Sequence, residues 1–266
     1  MLRIALGLEY EGGAFCGWQT QASGASIQDA VERAVSVIAD APVRVHCAGR
    51  TDTGVHAAVQ VVHFDTDANR PLTAWVRGVN AHLPDAISVR WSRQVSDEFH
   101  ARFSALARHY RYLLLSRDVR PALGAGRCGW THWNLDVEAM RDAATRLVGR
   151  HDFTSFRAAE CQAASPVRTL TRAAVLEVGA LIAFEFSANA FLHHMVRNMV
   201  GALVQIGRGA NSPHWIDELL AAKDRSIAAP TFSPDGLYLA GVDYPPEFGL
   251  PNHGRVRNET FGGAFE

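Results

Sequence analysis

Arg168–Ala188 reads R-T-L-T-R-A-A-V-L-E-V-G-A-L-I-A-F-E-F-S-A. Two apolar-rich runs, Arg168–Val178 and Leu181–Ala188, are separated only by Gly179-Ala180. A two-residue Gly-X link is the turn chemistry of a tight hairpin, so the two runs are expected to pair antiparallel. That pairing sets the class as α+β rather than a doubly wound parallel sheet. On the C-terminal side, Phe191–Ile206 carries Leu192, Met195, Val196, Met199, Val200 and Leu203 at helical spacing. His193 and Arg197 then lie four apart on a flanking face of that helix. Pro213–Ala222 reads as a short helix and Leu237–Val242 as a final strand. After Pro246 the composition turns to Gly, Asn and scattered charges, so 247–266 is expected to be a disordered tail. On the N-terminal side come a strand over Ala107–Leu115, a loop over Asp118–Trp133 and a helix marked by Val137, Met140, Ala144, Leu147 and Val148. His151–Arg157 closes that stretch as a polar-aromatic loop.

The first hundred residues carry the same theme. Leu2, Ile4, Leu6 and Leu8 alternate as a strand, and Glu9–Gln19 is a loop rich in glycine and aromatics. Ser26 has the character of an N-cap for a helix over Ser26–Ala39, whose buried face is Ile27, Val31, Ala34, Val35 and Ile38. Strands are expected over Val43–Cys47, Ala58–Phe64 and Ile87–Trp91, with a helix over Pro71–His82. The half reads β-α-β-loop-β-α-β.

Between two of those strands lies Gly49–Ala57, G-R-T-D-T-G-V-H-A. It brings Arg50, Asp52, two threonine hydroxyls, two glycines and His56 into one short loop, which suits a rigidly placed functional group. Arg50 is two residues from Asp52 and can keep it ionised by charge and hydrogen bonding. A strand-connecting turn with one solvated ion pair is the competing reading of the same residues.

Composition limits the alternatives. The chain has 266 residues, 48% of them hydrophobic, room for one large domain or two smaller ones. No apolar run approaches a membrane span, and Met1-Leu-Arg-Ile enters a strand with no signal-peptide pattern, so no membrane association and a cytoplasmic location are expected. Four cysteines at 16, 47, 128 and 161 form no CxxC pair, which argues against a zinc ribbon and for reduced thiols. Net charge is −1, yet eight arginines against three acids lie between Arg90 and Arg127, interleaved with Phe99, Phe103, Tyr110 and Tyr112. Such a mixture suits phosphate contacts with base stacking, and a solvated basic face competes with it.

G-R-T-D-T-G-V-H-A resembles the catalytic motif of the tRNA pseudouridine synthase A (TruA) family, G-R-T-D-A-G-V-H-A. Leu8–Gln19, Phe99–Ala105 (F-H-A-R-F-S-A), Arg108–Tyr112 (R-H-Y-R-Y), Gly149–Arg157 (G-R-H-D-F-T-S-F-R), Phe191–Gly201 and Gly236–Leu239 (G-L-Y-L) resemble further family segments in the same order. Two departures are Thr53, where alanine is usual, and the run Pro230–Pro234 (P-T-F-S-P). The resemblance implies two similar α/β halves, ferredoxin- or RRM-like, in a continuous mostly antiparallel sheet with a central catalytic cleft. The halves would be 1–104, carrying the aspartate loop, and 105–246. It implies isomerisation of uridine to pseudouridine at positions 38–40 of the tRNA anticodon stem-loop by a homodimer, with no metal or cofactor. Asp52, Arg197 and Tyr110 are then the expected catalytic residues. Tyr110, Arg50, Arg102, Arg108, His193 and Arg197 are the expected substrate contacts.

Three other chemistries leave traces here. Asp52-Thr53-Gly54 spells the aspartic-protease triplet, but no second one occurs in the chain to share its proton. Twelve histidines suggest a metal-dependent hydrolase, but no H-E-x-x-H spacing exists, and His193 and His194 would point about 100° apart on a helix. A non-catalytic RNA-binding protein would need the arginines and tyrosines without Asp52.

Overall fold

A computed structural model describes residues 1–22 and 24–251. The chain is α+β and divides into two compact units. Unit 1 is Met1–Ala107 together with the described residues from Tyr238 onward, and unit 2 is Arg108–Leu237. The expected boundary at 104/105 thus moves by three residues. The larger difference is that the last strand belongs with the first unit rather than with 105–246. Among residues 247–251, Phe248 and Leu250 pack against a buried cluster of unit 1, so this part of the expected tail is ordered by apolar burial. The remainder, 252–266, lies outside the described residues.

Unit 1 contains β1 (Leu2–Tyr10), α1 (Ile27–Ala39), β2 (His46–Cys47), β3 (His56–Thr66), β4 (Ile87–Val95) and β10 (Leu237–Asp243). Its sheet runs β4-β1-β3, with β2 on β3. These pairs are antiparallel, the ferredoxin-like order of β-α-β-β-α-β connectivity. β10 adds a parallel pair to β3 at Tyr238↔His56 and Leu239↔Ala57. Ser26 caps α1 as expected, in a capping box in which its side chain and that of Asp29 each accept the other's backbone N–H. The expected strand over Val43–Cys47 shrinks to two residues for a local reason. Ser36 Oγ and Glu32 Oε1 on α1 accept the N–H groups of Val43 (2.9 Å) and Val45 (3.0 Å), so a ladder cannot use them. The expected helix over Pro71–His82 is a helical segment centred on a π-turn, Ala74–Gly78. Its Trp75 meets Phe64 edge-on at 5.2 Å. The opposite face of the sheet is covered by 96–104, where Phe99 and Ala101 pack on Ala5, Val59 and Val61. Layers on both faces bury β3 almost throughout and erase the polar–apolar alternation of a half-exposed strand.

Unit 2 contains β5 (Ala107–Ser116), β6 (Gly129–Thr131), α2 (Val137–Thr145), β7 (Gly149–Asp152), β8 (Val167–Val178), β9 (Leu181–Ala188), α3 (Met195–Gly207) and α4 (Trp215–Ala222). Its order is β5-β9-β8-β7, antiparallel throughout, with β6 added parallel to β5. The hairpin forms where expected, with Leu181↔Val178 closing it and Gly179 at φ +57°. β6 falls inside the expected loop Asp118–Trp133, and β7 starts two residues before the expected loop His151–Arg157 and runs into it. They are three and four residues long and carry no period of their own. The helix expected from Phe191 begins at Met195. Phe191–His194 is non-helical, because His194 stands at φ +61° and breaks the helical run. Among the described residues, no helix is long and apolar enough to cross a membrane.

Candidate active site

In unit 1, Ala48–His56 runs from the end of β2 into the first residue of β3 and carries Asp52, which is half-buried. The loop is held through its backbone at Ala48, Gly49, Thr51, Asp52 and Val55. Gln60, fully buried on β3, donates from Nε2 to Gly49 O (2.6 Å) and accepts Gly49 N–H (3.4 Å). Thr51 is buried, and its Oγ1 lies 2.8 Å from Tyr10 Oη. Thr51 O accepts Trp18 N–H (3.0 Å). Val55 N–H donates to Asp52 O (3.1 Å), closing a turn whose third residue, Gly54, sits at φ +80°. That left-handed angle favours glycine. The 11–18 loop packs directly on this turn. A Cβ on Gly12 would lie 2.0 Å from Val55 O, and one on Gly17 would lie 2.9 Å from Thr51 O. His56 accepts Gly12 N–H at Nδ1 (3.0 Å) and stacks on Tyr238 with ring centroids 4.7 Å apart.

Arg50 differs from expectation. It is exposed, and among the described residues no ion pair joins it to Asp52. Thr51 takes the buried position between them, which turns the Arg50 side chain to solvent. Arg102 is exposed as well and lies over the Phe103 ring.

In unit 2, β5 places Tyr110 opposite Phe186 of β9. Tyr110 is 9% exposed and meets Phe191 edge-on at 5.0 Å. Arg108 donates from Nη1 to Asn189 O (2.9 Å). The segment after β9 therefore gathers Arg108, Tyr110 and His193. His193 is exposed, lies outside α3 and has its ring 4.0 Å from that of His194 at a tilt of 38°, so the pair does not diverge as two helical neighbours would. Arg197, in the first turn of α3, donates from Nε to Phe232 O (2.8 Å), and Phe232 N–H returns a bond to Arg197 O (3.4 Å). The unusual run Pro230–Pro234 is thus the collar that aims this arginine. Behind it, buried Asn198 donates from Nδ2 to Phe156 O (2.8 Å) and accepts the Thr231 hydroxyl (2.7 Å) and Arg225 Nη2 (3.2 Å).

Other members of the basic stretch are structural. Buried Arg111 bonds Glu185, which Arg172 also holds through Nη2 at 2.7 Å. Burial opposes the Glu185 charge, but hydrogen bonds from Arg111 and then Arg172 outweigh it and hold the carboxyl below its ordinary range. Arg90 pairs with Glu9 (3.0 Å). Tyr112 is fully buried and its hydroxyl donates to Ser233 O (3.0 Å). Burial, with Asp235 nearby, pushes that phenol well above its usual range. The supporting residues Tyr10, Gln60, Asn198 and Thr231 escape a reading of the sequence. Gln60 leaves a signal, a polar residue inside the apolar run Val59–Val62.

Antiparallel α+β sheets and a carboxylate on a loop braced through its backbone define an enzyme scaffold that presents one fixed acidic group. A family model described as tRNA pseudouridine synthase matches residues 8–104 and 143–245. A tRNA pseudouridine synthase A of Chromobacterium violaceum is 61% identical over 252 residues, 94% of this chain and 96% of that protein. The protein of the same name from Dechloromonas aromatica (strain RCB) is 59% identical over 251 residues, again 94% and 96%. That of Aromatoleum aromaticum is 57% identical over 255 residues, 96% and 97%. The chain belongs to the tRNA pseudouridine synthase family.

Proposed function

We propose that this protein isomerises uridine to pseudouridine at positions 38–40 of the tRNA anticodon stem-loop, with Asp52 as the nucleophile. The family match over both halves carries this reading, because it includes the loop on which Asp52 is braced. In the reaction the C1′–N1 bond breaks and a C1′–C5 bond forms. C5 gives up its proton and N1 gains one. Electrons are conserved, so the isomerisation needs no redox cofactor. A carboxylate that bonds transiently to uracil C6 or to ribose C1′ lets the base detach, turn and rejoin.

The other residues take roles from the family's pattern. Arg197 is the cation that pairs with the carboxylate. The Tyr110 ring stacks on a base flipped out of the stem, and its hydroxyl helps remove the C5 proton. Arg50, Arg102, Arg108 and His193 contact the RNA, the arginines at phosphates that set register rather than sequence. The protein works in the cytoplasm as a homodimer, with each tRNA touching both subunits. Tritium release from tRNA labelled at uracil C5 tests the reading. Release that requires Asp52 is expected, and a pure protein that binds tRNA without releasing tritium would leave only a non-catalytic binder.

A further inference from the structure

Four aromatics are interleaved with the arginines between Arg90 and Arg127, and their surroundings differ. Phe99 and Tyr112 have no exposed surface and Tyr110 has little, whereas Phe103 is 76% exposed. One exposed ring is ordinary on a protein surface. The support under this one is not. The His100 ring lies 4.3 Å from Phe103, His63 lies 4.6 Å from His100, and His46 stacks on His63 at 5.1 Å. His100 Nδ1 accepts the N–H groups of Arg102 (3.1 Å) and Phe103 (3.3 Å), and His63 Nδ1 accepts that of Ala101 (3.2 Å). Ser104 Oγ accepts His100 N–H (2.9 Å). The turn is therefore ordered before anything binds, and Phe103 is its outermost ring. The Arg102 guanidinium lies 5.6 Å from the Phe103 centroid and is itself exposed. Burial, then His100 and His46, push His63 down to about 3, and burial lowers His100. Both rings thus stay neutral near pH 7 and keep accepting the turn's N–H groups. Position adds to the case. Phe99 and Ala101 pack in the same cluster as Ala48, the first residue of the Asp52 loop, and His46 stands two residues earlier.

We propose that Phe103, backed by His100 and flanked by Arg102, is a stacking platform for one unpaired nucleobase of the RNA substrate, with Arg102 on an adjoining phosphate. A preordered aromatic face beside a guanidinium matches a base joined to a phosphate. Ordering the ring in advance removes part of the entropy lost on binding. This inference rests on the RNA reading above.

The test uses the full chain carrying Asp52→Asn and anticodon stem-loop RNA. Phe103→Leu keeps an apolar side chain without a π-face, and Phe103→Trp restores one. Leucine is expected to weaken binding about ten- to hundredfold and tryptophan to stay near the parent. Arg102→Gln is expected to lower the salt slope of log Kd by about one. With 2-aminopurine placed at each loop position in turn, quenching at one position should vanish in Phe103→Leu. Equal affinities for Phe103→Leu and its parent would overturn the platform. So would a weakening that tracks loss of a dimer in light scattering, which would make this face an interface between copies. If the parent binds no RNA, the functional reading itself fails.

Discussion

Two regions carry the expected catalytic groups, and they are built in different ways. In unit 1 the 48–56 loop is held by its main chain, through Gln60 on Gly49, Trp18 on Thr51 and the Asp52–Val55 turn. In unit 2 Arg197 is held by its own side chain, with Nε fixed on Phe232 O and the collar tied to Asn198 through Thr231. The difference follows the side chains. An aspartate has two torsions, so fixing its backbone nearly fixes its carboxylate. An arginine has a long flexible stem and must be clamped near the guanidinium to give up its rotamer freedom.

The comparison can be broken at the carboxylate. Asp52→Asn keeps the braced loop and removes the nucleophile, so turnover should vanish while tRNA affinity stays within a fewfold. Pseudouridine formation by a pure Asp52→Asn preparation would remove Asp52 from its role. Gly12→Ala attacks the main-chain support instead. Its Cβ would meet Val55 O at 2.0 Å, whereas Gly13→Ala meets only the end of the Glu11 side chain. Gly12→Ala should lower stability by about 1–3 kcal/mol. Displacing the loop should also slow turnover about a hundredfold. Gly13→Ala should stay near the parent in urea melts and tritium release, and parity of the two variants would show that close approach does not hold the loop.

Thr231→Ala tests the side-chain clamp. It removes one acceptor-directed bond to Asn198 and should reduce stability by about 1 kcal/mol. The predicted change is a several-fold fall in kcat with KM nearly constant, recovered by Thr231→Ser. A rise in KM alone would mean that the collar binds RNA rather than aiming Arg197.

The two units should also differ in acid. His63 is buried, and its proton affinity in the folded protein is depressed to about 3 from an ordinary 6.5. As pH falls below 6.5 the unfolded chain takes up the proton first. Stability therefore drops toward pH 3, by up to about 1.4 kcal/mol per pH unit. Glu185 in unit 2 is lowered as well, but from an ordinary value of 4.5, so its contribution is intact above that value and is lost only as pH falls below it toward the lower folded value. Urea melts at pH 7 and pH 5 should show the loss in the parent and a flatter response in His63→Gln. Equal slopes would mean that His63 is not the group that titrates.

The sequence by itself determined the elements whose signals are local. The hairpin follows from Gly179-Ala180, the start of α1 from Ser26, and the place of Asp52 from a motif that survives in full apart from Thr53. Only the tertiary structure decided the rest. β6 and β7 exist because a neighbouring strand offers them bonds, and three or four residues cannot announce that in a pattern. The start of α3 depends on a positive φ at His194, which composition does not reveal. β10 joins unit 1 because Tyr238 and Leu239 pair with β3, a partner far back in the chain. Among the arginines, Arg111 went to the half-buried carboxylate of Glu185 while Arg50 and Arg102 stayed in solvent. A side chain's type states what it can bond, but which partner it meets depends on the packing of segments distant in sequence.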